Sequence, residues 1–88
     1  MKHYAVILQW SFDYESNTII YAITHTYEEA KKVFDYYVKE EKERAGERGW
    51  EVWRDDEDCF DASGVIYVEN HARLYIETII NREVPDGK

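Results

Sequence analysis

Cysteine is nearly absent from this chain. Cys59 stands alone among 88 residues, so no disulfide can close within the chain and no zinc site can be built from its thiolates. A lone thiol suits a reducing compartment, and the expected location is the cytoplasm of a bacterial host cell. Long apolar runs are missing too. The stretch Tyr4–Leu8 ends at Gln9, too short for the apolar region of a signal peptide. Nothing approaches the ~20 apolar residues a membrane-spanning helix needs. Positive charge is scarce: eleven Lys and Arg face nineteen Asp and Glu, a formal net charge of -8. Binding to phosphate backbones needs clustered cations, so direct contact with nucleic acid is not expected, nor is an anionic membrane surface.

Catalytic patterns are also wanting. His3, His25 and His71 are scattered without metal-ligand spacing. Ser63, in Ala62-Ser63-Gly64-Val65, lacks the Gly-x-Ser-x-Gly elbow that exposes a nucleophile. Cys59 sits among carboxylates, which raise a thiol's pKa and suppress the thiolate. There is no glycine-rich phosphate loop. The chain is expected to be no enzyme and to need no cofactor.

Apolar and aromatic residues are plentiful, at 44% and 16% of the chain, enough for an ordered core without covalent staples. Tyr4, Val6, Leu8, Trp10 and Phe12 alternate with Ala5, Ile7, Gln9 and Ser11, a period of two that predicts a strand. Residues 13–17 read as a turn, and Thr18–Thr24 as a second strand, with Ile19, Tyr21 and Ile23 on one face. Because both faces of this hairpin carry apolar groups, it is expected near the centre of the sheet. Thr26-Tyr27-Glu28-Glu29 fits a capping box. Beyond it, Ala30, Val33, Phe34, Tyr37 and Val38 form one helical stripe over residues 27–45, with Glu28–Lys32 and Asp35–Lys39 as i,i+4 pairs. Gly46 and Gly49 supply the stop.

Residues 50–54 alternate as a third strand, 59–62 pair back as a short fourth, Ser63-Gly64 marks a bulge or corner, and 65–68 resume the strand pattern. After a turn at Glu69-Asn70-His71, residues 72–80 form a last strand. The order β-β-α-β-β(-β) implies an α+β fold: a four- or five-stranded, mostly antiparallel sheet with one helix across one face. It forms one domain over residues 1–81, with a frayed tail at 82–88. One helix leaves the other sheet face bare, where Ile7, Trp53, Tyr75 and Ile79 would be exposed. Such a face suits a homodimer or another partner.

Acidity is concentrated between residues 51 and 61, where Glu51, Asp55, Asp56, Glu57, Asp58 and Asp61 face Arg54 alone. A calcium loop does not fit: counting from Asp55, the sixth position is Phe60, where the sharp turn requires glycine. That excludes an EF-hand but leaves a hard-cation site as an alternative; a solvated hairpin tip is favoured over it, and a surface that meets basic groups is the other functional reading. Tyr14, Tyr36 and Tyr67 fall at turn or polar positions, and exposed tyrosine favours protein interfaces. With the run Asp55-Asp56-Glu57-Asp58, Asp61 and the stretch Tyr67-Val68-Glu69-Asn70-His71, the chain resembles small acidic phage and mobile-element proteins of the anti-CRISPR type. The resemblance lies in size, charge and architecture. It implies a stoichiometric inhibitor that covers the nucleic-acid-binding surface of a CRISPR effector, with Glu51, Asp55, Asp56, Glu57, Asp58, Asp61, Tyr67 and Glu69 meeting the basic partner. A small homo-oligomeric structural or regulatory module is the other reading.

Overall fold

The computed structural model of the chain describes residues 2–80; the tail expected at 82–88 lies outside the described residues. Five strands and one helix follow in the order β1 (Lys2–Phe12), β2 (Glu15–Thr24), α1 (Tyr27–Arg48), β3 (Glu51–Asp55), β4 (Cys59–Ser63) and β5 (His71–Ile80). All strand pairs are antiparallel, and the sheet runs β2-β1-β5-β4-β3. The α+β class with one helix on an antiparallel sheet is as the sequence predicts. The long β1–β5 pairing, from Lys2 opposite Ile80 to Ser11 opposite His71, sets the first and last strands side by side at mid-sheet.

The hairpin is therefore not central as a unit. β1 is inside the sheet, but β2 is an edge, because β1 gives its second hydrogen-bonding side to the last strand. The apolar alternation in β2 also changes phase. Val6 pairs with Ala22 but Ile7 with Ile20, so Tyr21 is the extra residue of a bulge. Ile19 and Tyr21 pack toward the helix, and Tyr21 stacks on Tyr37 with ring centroids 3.7 Å apart. Ile23, opposite Ala5, ends on the other face and is exposed.

α1 starts at the expected N-cap, where the Thr26 hydroxyl accepts from Glu29 N–H; Glu29 closes the pair by accepting from that same hydroxyl and not from the Thr26 backbone N–H of a full capping box. It continues one turn past the expected end. Gly46 is tolerated inside it, and Gly49 terminates it in the left-handed conformation, φ 68°, which costs glycine no Cβ clash. Ala30, Phe34, Val38, Glu41 and Ala45 form its buried stripe. Phe34 meets Val6, Leu8, Phe60, Ala62, Ala72 and Leu74 from the sheet in one cluster. Full burial of a side chain such as Phe34 or Leu74 contributes about 1.5–3 kcal/mol. Of the expected helix pairs neither forms; the observed pairs within the helix are Lys31 with Asp35, Arg44 with Glu41 and, more loosely, Arg44 with Glu40.

Residues 65–68 are a loop and not a strand. Gly64 N–H donates to the Asn70 carbonyl at 2.8 Å and Asn70 N–H to the Tyr67 carbonyl at 3.0 Å, closing the segment on itself before it can reach a neighbouring strand. Val65, Ile66, Tyr67 and Val68 consequently point outward.

Candidate functional site

The acidic segment forms the far edge of the sheet and the turn that ends it. Every residue of β3 is exposed, including Val52 and Trp53. A register shift between Val52 and Arg54 makes Trp53 the bulged residue, and its indole Nε1–H donates to Ser63 Oγ at 2.6 Å. That bond fixes the ring across the end of β4 while leaving most of it in water.

Charge on this edge is less concentrated than the linear sequence suggests. Asp55 pairs with Lys42 of α1 at 2.8 Å, Asp56 with Arg54 at 2.5 Å, and Asp61 with Arg73 of β5 at 3.2 Å. Glu51, Glu57 and Asp58 form no ion pair within 4.0 Å among the described residues, although Asp58 is near enough to Arg54 to help raise its pKa. Two of these, Glu57 and Asp58, lie near the start of α1. The Tyr27 phenol is pushed up, by burial first and then by the negative charge of Asp58 and Glu57. Carboxylates at a helix N-terminus are favoured by the helix dipole, so this placement stabilises the turn.

Tyr67 and Glu69 do not join this cluster. The turn carrying Glu57 and Asp58 precedes β4 and their loop follows it, so five residues of strand, about 16 Å at ~3.3 Å each, separate them from that turn, whereas Glu51, opposite Ser63, lies at the loop's end of β4. Their loop lies beside the β1–β2 turn, where Asp13 N–H donates to Asn70 Oδ1 at 3.1 Å and Tyr14 is 100% exposed. Asp13 and Tyr14 both hold positive φ, 51° and 69°.

The sheet face away from the helix is divided in two. At one end Ile20, Ile23 and Ile79 are exposed around Ala5, Ile7 and Tyr75. Ile7, expected to be bare, is only 8% exposed, because Ile20 and Tyr75 flank it across the ladder. At the other end Arg54, Asp61, Arg73 and Gln9 form a polar row.

Cys59 is buried, and burial is the first cause of its raised thiol pKa; Arg54 and Arg73 oppose it, while Asp61 and Asp58 add to it. The carboxylates thus matter less to this thiol than its position inside the sheet. Among the described residues no three of His, Cys, Asp and Glu are grouped as a metal site, and no helix is long and apolar enough to cross a membrane. Sequence reasoning missed the display of Val65 and Ile66, since a short β-branched and aromatic run has the composition of a strand. It also missed the seat of Trp10, Trp50 and Arg48, described below, because those residues meet only through tertiary packing.

No protein-family model matches the chain, and neither a curated protein nor a solved structure matches it.

Proposed function

We propose that the chain is a non-catalytic binding protein that covers a basic surface on another protein. The observation that supports this most is the β3 edge. An exposed edge strand carries Val52 and Trp53 in the open, and Glu51, Glu57 and Asp58 lie along it without an ion pair among the described residues. Apolar anchors supply contact area, and unpaired carboxylates steer and orient a basic partner. An edge strand also offers free backbone groups for pairing. The resemblance to anti-CRISPR proteins gives the partner a class: a CRISPR effector whose cationic groove ordinarily holds nucleic acid.

The test is competition. The chain is added to an effector–guide complex, and binding of target DNA is measured at rising ratios and at low and high salt. Inhibition complete near equimolar ratio and weakened by salt supports the proposal. Inhibition at small fractions of the effector concentration points to turnover, and binding indifferent to salt excludes the acidic edge.

A second reading, homodimerisation through the uncovered sheet face, is favoured by the exposed trio Ile20, Ile23 and Ile79 around Tyr75. Sedimentation of a strict monomer at high concentration would remove it.

A further inference from the structure

Between the C-terminal half of α1 and the β1–β2 hairpin lies a cleft of about 580 Å³, well within the roughly 300–1,000 Å³ typical of small-molecule sites. Its walls are aromatic: Trp10 and Phe12 from β1, Tyr21 from β2 and Trp50 just before β3. Two guanidinium groups, Arg44 and Arg48, enter it from one face of the helix, one turn apart.

The two arginines are held differently. Arg44 is engaged by Glu41, Nη1 to Oε2 at 2.5 Å, and Glu41 is buried at 4% exposure. A carboxylate so placed is stable only with its partner, so Arg44 is committed to the wall. Arg48 has no carboxylate partner among the described residues. Its guanidinium carbon lies 5.1 Å from the centre of the Phe12 ring and 4.8 Å from that of Trp50. These two cation–π contacts hold the guanidinium over the rings, and it is paired with no carboxylate among the described residues. A guanidinium so placed is a planar fork that can accept a carboxylate through two parallel hydrogen bonds.

We propose that this cleft binds a small aromatic carboxylate, its ring against Trp10 and Tyr21 and its carboxylate on Arg48. The site is independent of the β3 edge and of the protein-binding reading above. Asp13 and Glu15, which also line the cleft from the β1–β2 hairpin, oppose negative charge, so a dianion is disfavoured more than a monoanion.

The three tryptophans provide the readout. Each gives its own indole N–H signal in a nitrogen-15 correlation spectrum, and Trp53, outside the cleft, is an internal control. Indole-3-acetate is titrated against the full chain, with 3-methylindole as the neutral probe and tryptamine as the cationic one. The expected result is saturable movement of the Trp10 and Trp50 signals with indole-3-acetate, Trp53 unmoved, and at least about tenfold weaker binding of the other two probes. Arg48→Gln and Arg48→Lys each lower the affinity for indole-3-acetate about tenfold, since neither keeps the planar fork. Equal binding of all three probes, or movement of Trp53 alongside the others, overturns the proposal. Tighter binding of tryptamine also overturns it, because the acids would then define the ligand. The probe comparison uses the unmodified chain and stands even where an Arg48 variant fails to fold.

Discussion

Gly64→Ala tests how the loop after β4 is held. The position has no unusual backbone angle to forbid alanine, so the penalty comes from space alone. A Cβ there would stand 2.7 Å from the Tyr67 carbonyl oxygen and 3.4 Å from its carbon. The obstacle is backbone and cannot swing aside. The same carbonyl accepts from Asn70 N–H, whose own carbonyl accepts from Gly64 and whose side chain accepts from Asp13. Displacing Tyr67 therefore loosens up to three hydrogen bonds at about 0.5–1.5 kcal/mol each. Overpacking elsewhere costs a similar sum, so about 1–3 kcal/mol is expected. For a domain of this size each kcal/mol lowers Tm by roughly 4–8 °C, giving a drop of about 5–20 °C. Gly46→Ala is the control. Nothing lies within 4 Å of its added Cβ, and the site is helical, so a gain of about 0.5–1 kcal/mol follows. Thermal melts followed by circular dichroism measure both. If Gly64→Ala melts at or above the unmodified chain, the loop is not closed by the bonds described.

Removing the N-cap hydroxyl with Thr26→Ala costs about 1 kcal/mol in denaturant titrations, because Glu29 N–H loses its acceptor. Cys59, buried and with its thiol pKa raised, reacts with a thiol reagent at neutral pH roughly tenfold or more slower in the folded chain than in denaturant. Tyr21, Tyr27 and Tyr75 all have phenol pKa values raised above the ordinary 10.0, with burial the first cause in each. Folded pKa values above the unfolded ones mean that stability from these groups is whole below pH 10 and is lost as pH rises through the raised values. Denaturation midpoints measured across that range fall with pH, and less steeply once Tyr21 is replaced by Phe.

What could be read directly from the chain was local. The Thr26 and Glu29 pattern specifies a helix start through atoms three residues apart, and the structure forms its N-cap bond, with Glu29 reaching back to the Thr26 hydroxyl in place of the backbone N–H. Alternation placed Val6 and Leu8 on one side of the sheet, where they pack against α1 together with Leu74 and Ile76. The same logic failed where pairing intervened. Val65–Val68 have the β-branched and aromatic composition of a strand, but the Gly64–Asn70 bond commits the segment to a loop. Ile23 changed faces because the bulge at Tyr21 shifts the register by one. The acidic site suffered most. Six carboxylates against Arg54 describes the line of sequence, but Lys42 arrives from the helix and Arg73 from the last strand to neutralise Asp55 and Asp61. Such pairs depend on which elements end up adjacent, which composition within a segment does not encode.

This division of the acids into paired and unpaired sets gives the most direct measurement of the proposed function. Two triple variants carry the same loss of charge: Glu51→Gln with Glu57→Gln and Asp58→Asn, and Asp55→Asn with Asp56→Asn and Asp61→Asn. Affinity for the effector is measured for each by calorimetry at low and moderate salt. The first set is expected to weaken binding at least about tenfold and to flatten its salt dependence, because those carboxylates are free to meet the partner. The second is expected to weaken it several-fold less, since its carboxylates already face Lys42, Arg54 and Arg73. Equal losses, or a larger loss from the second set, would contradict the account.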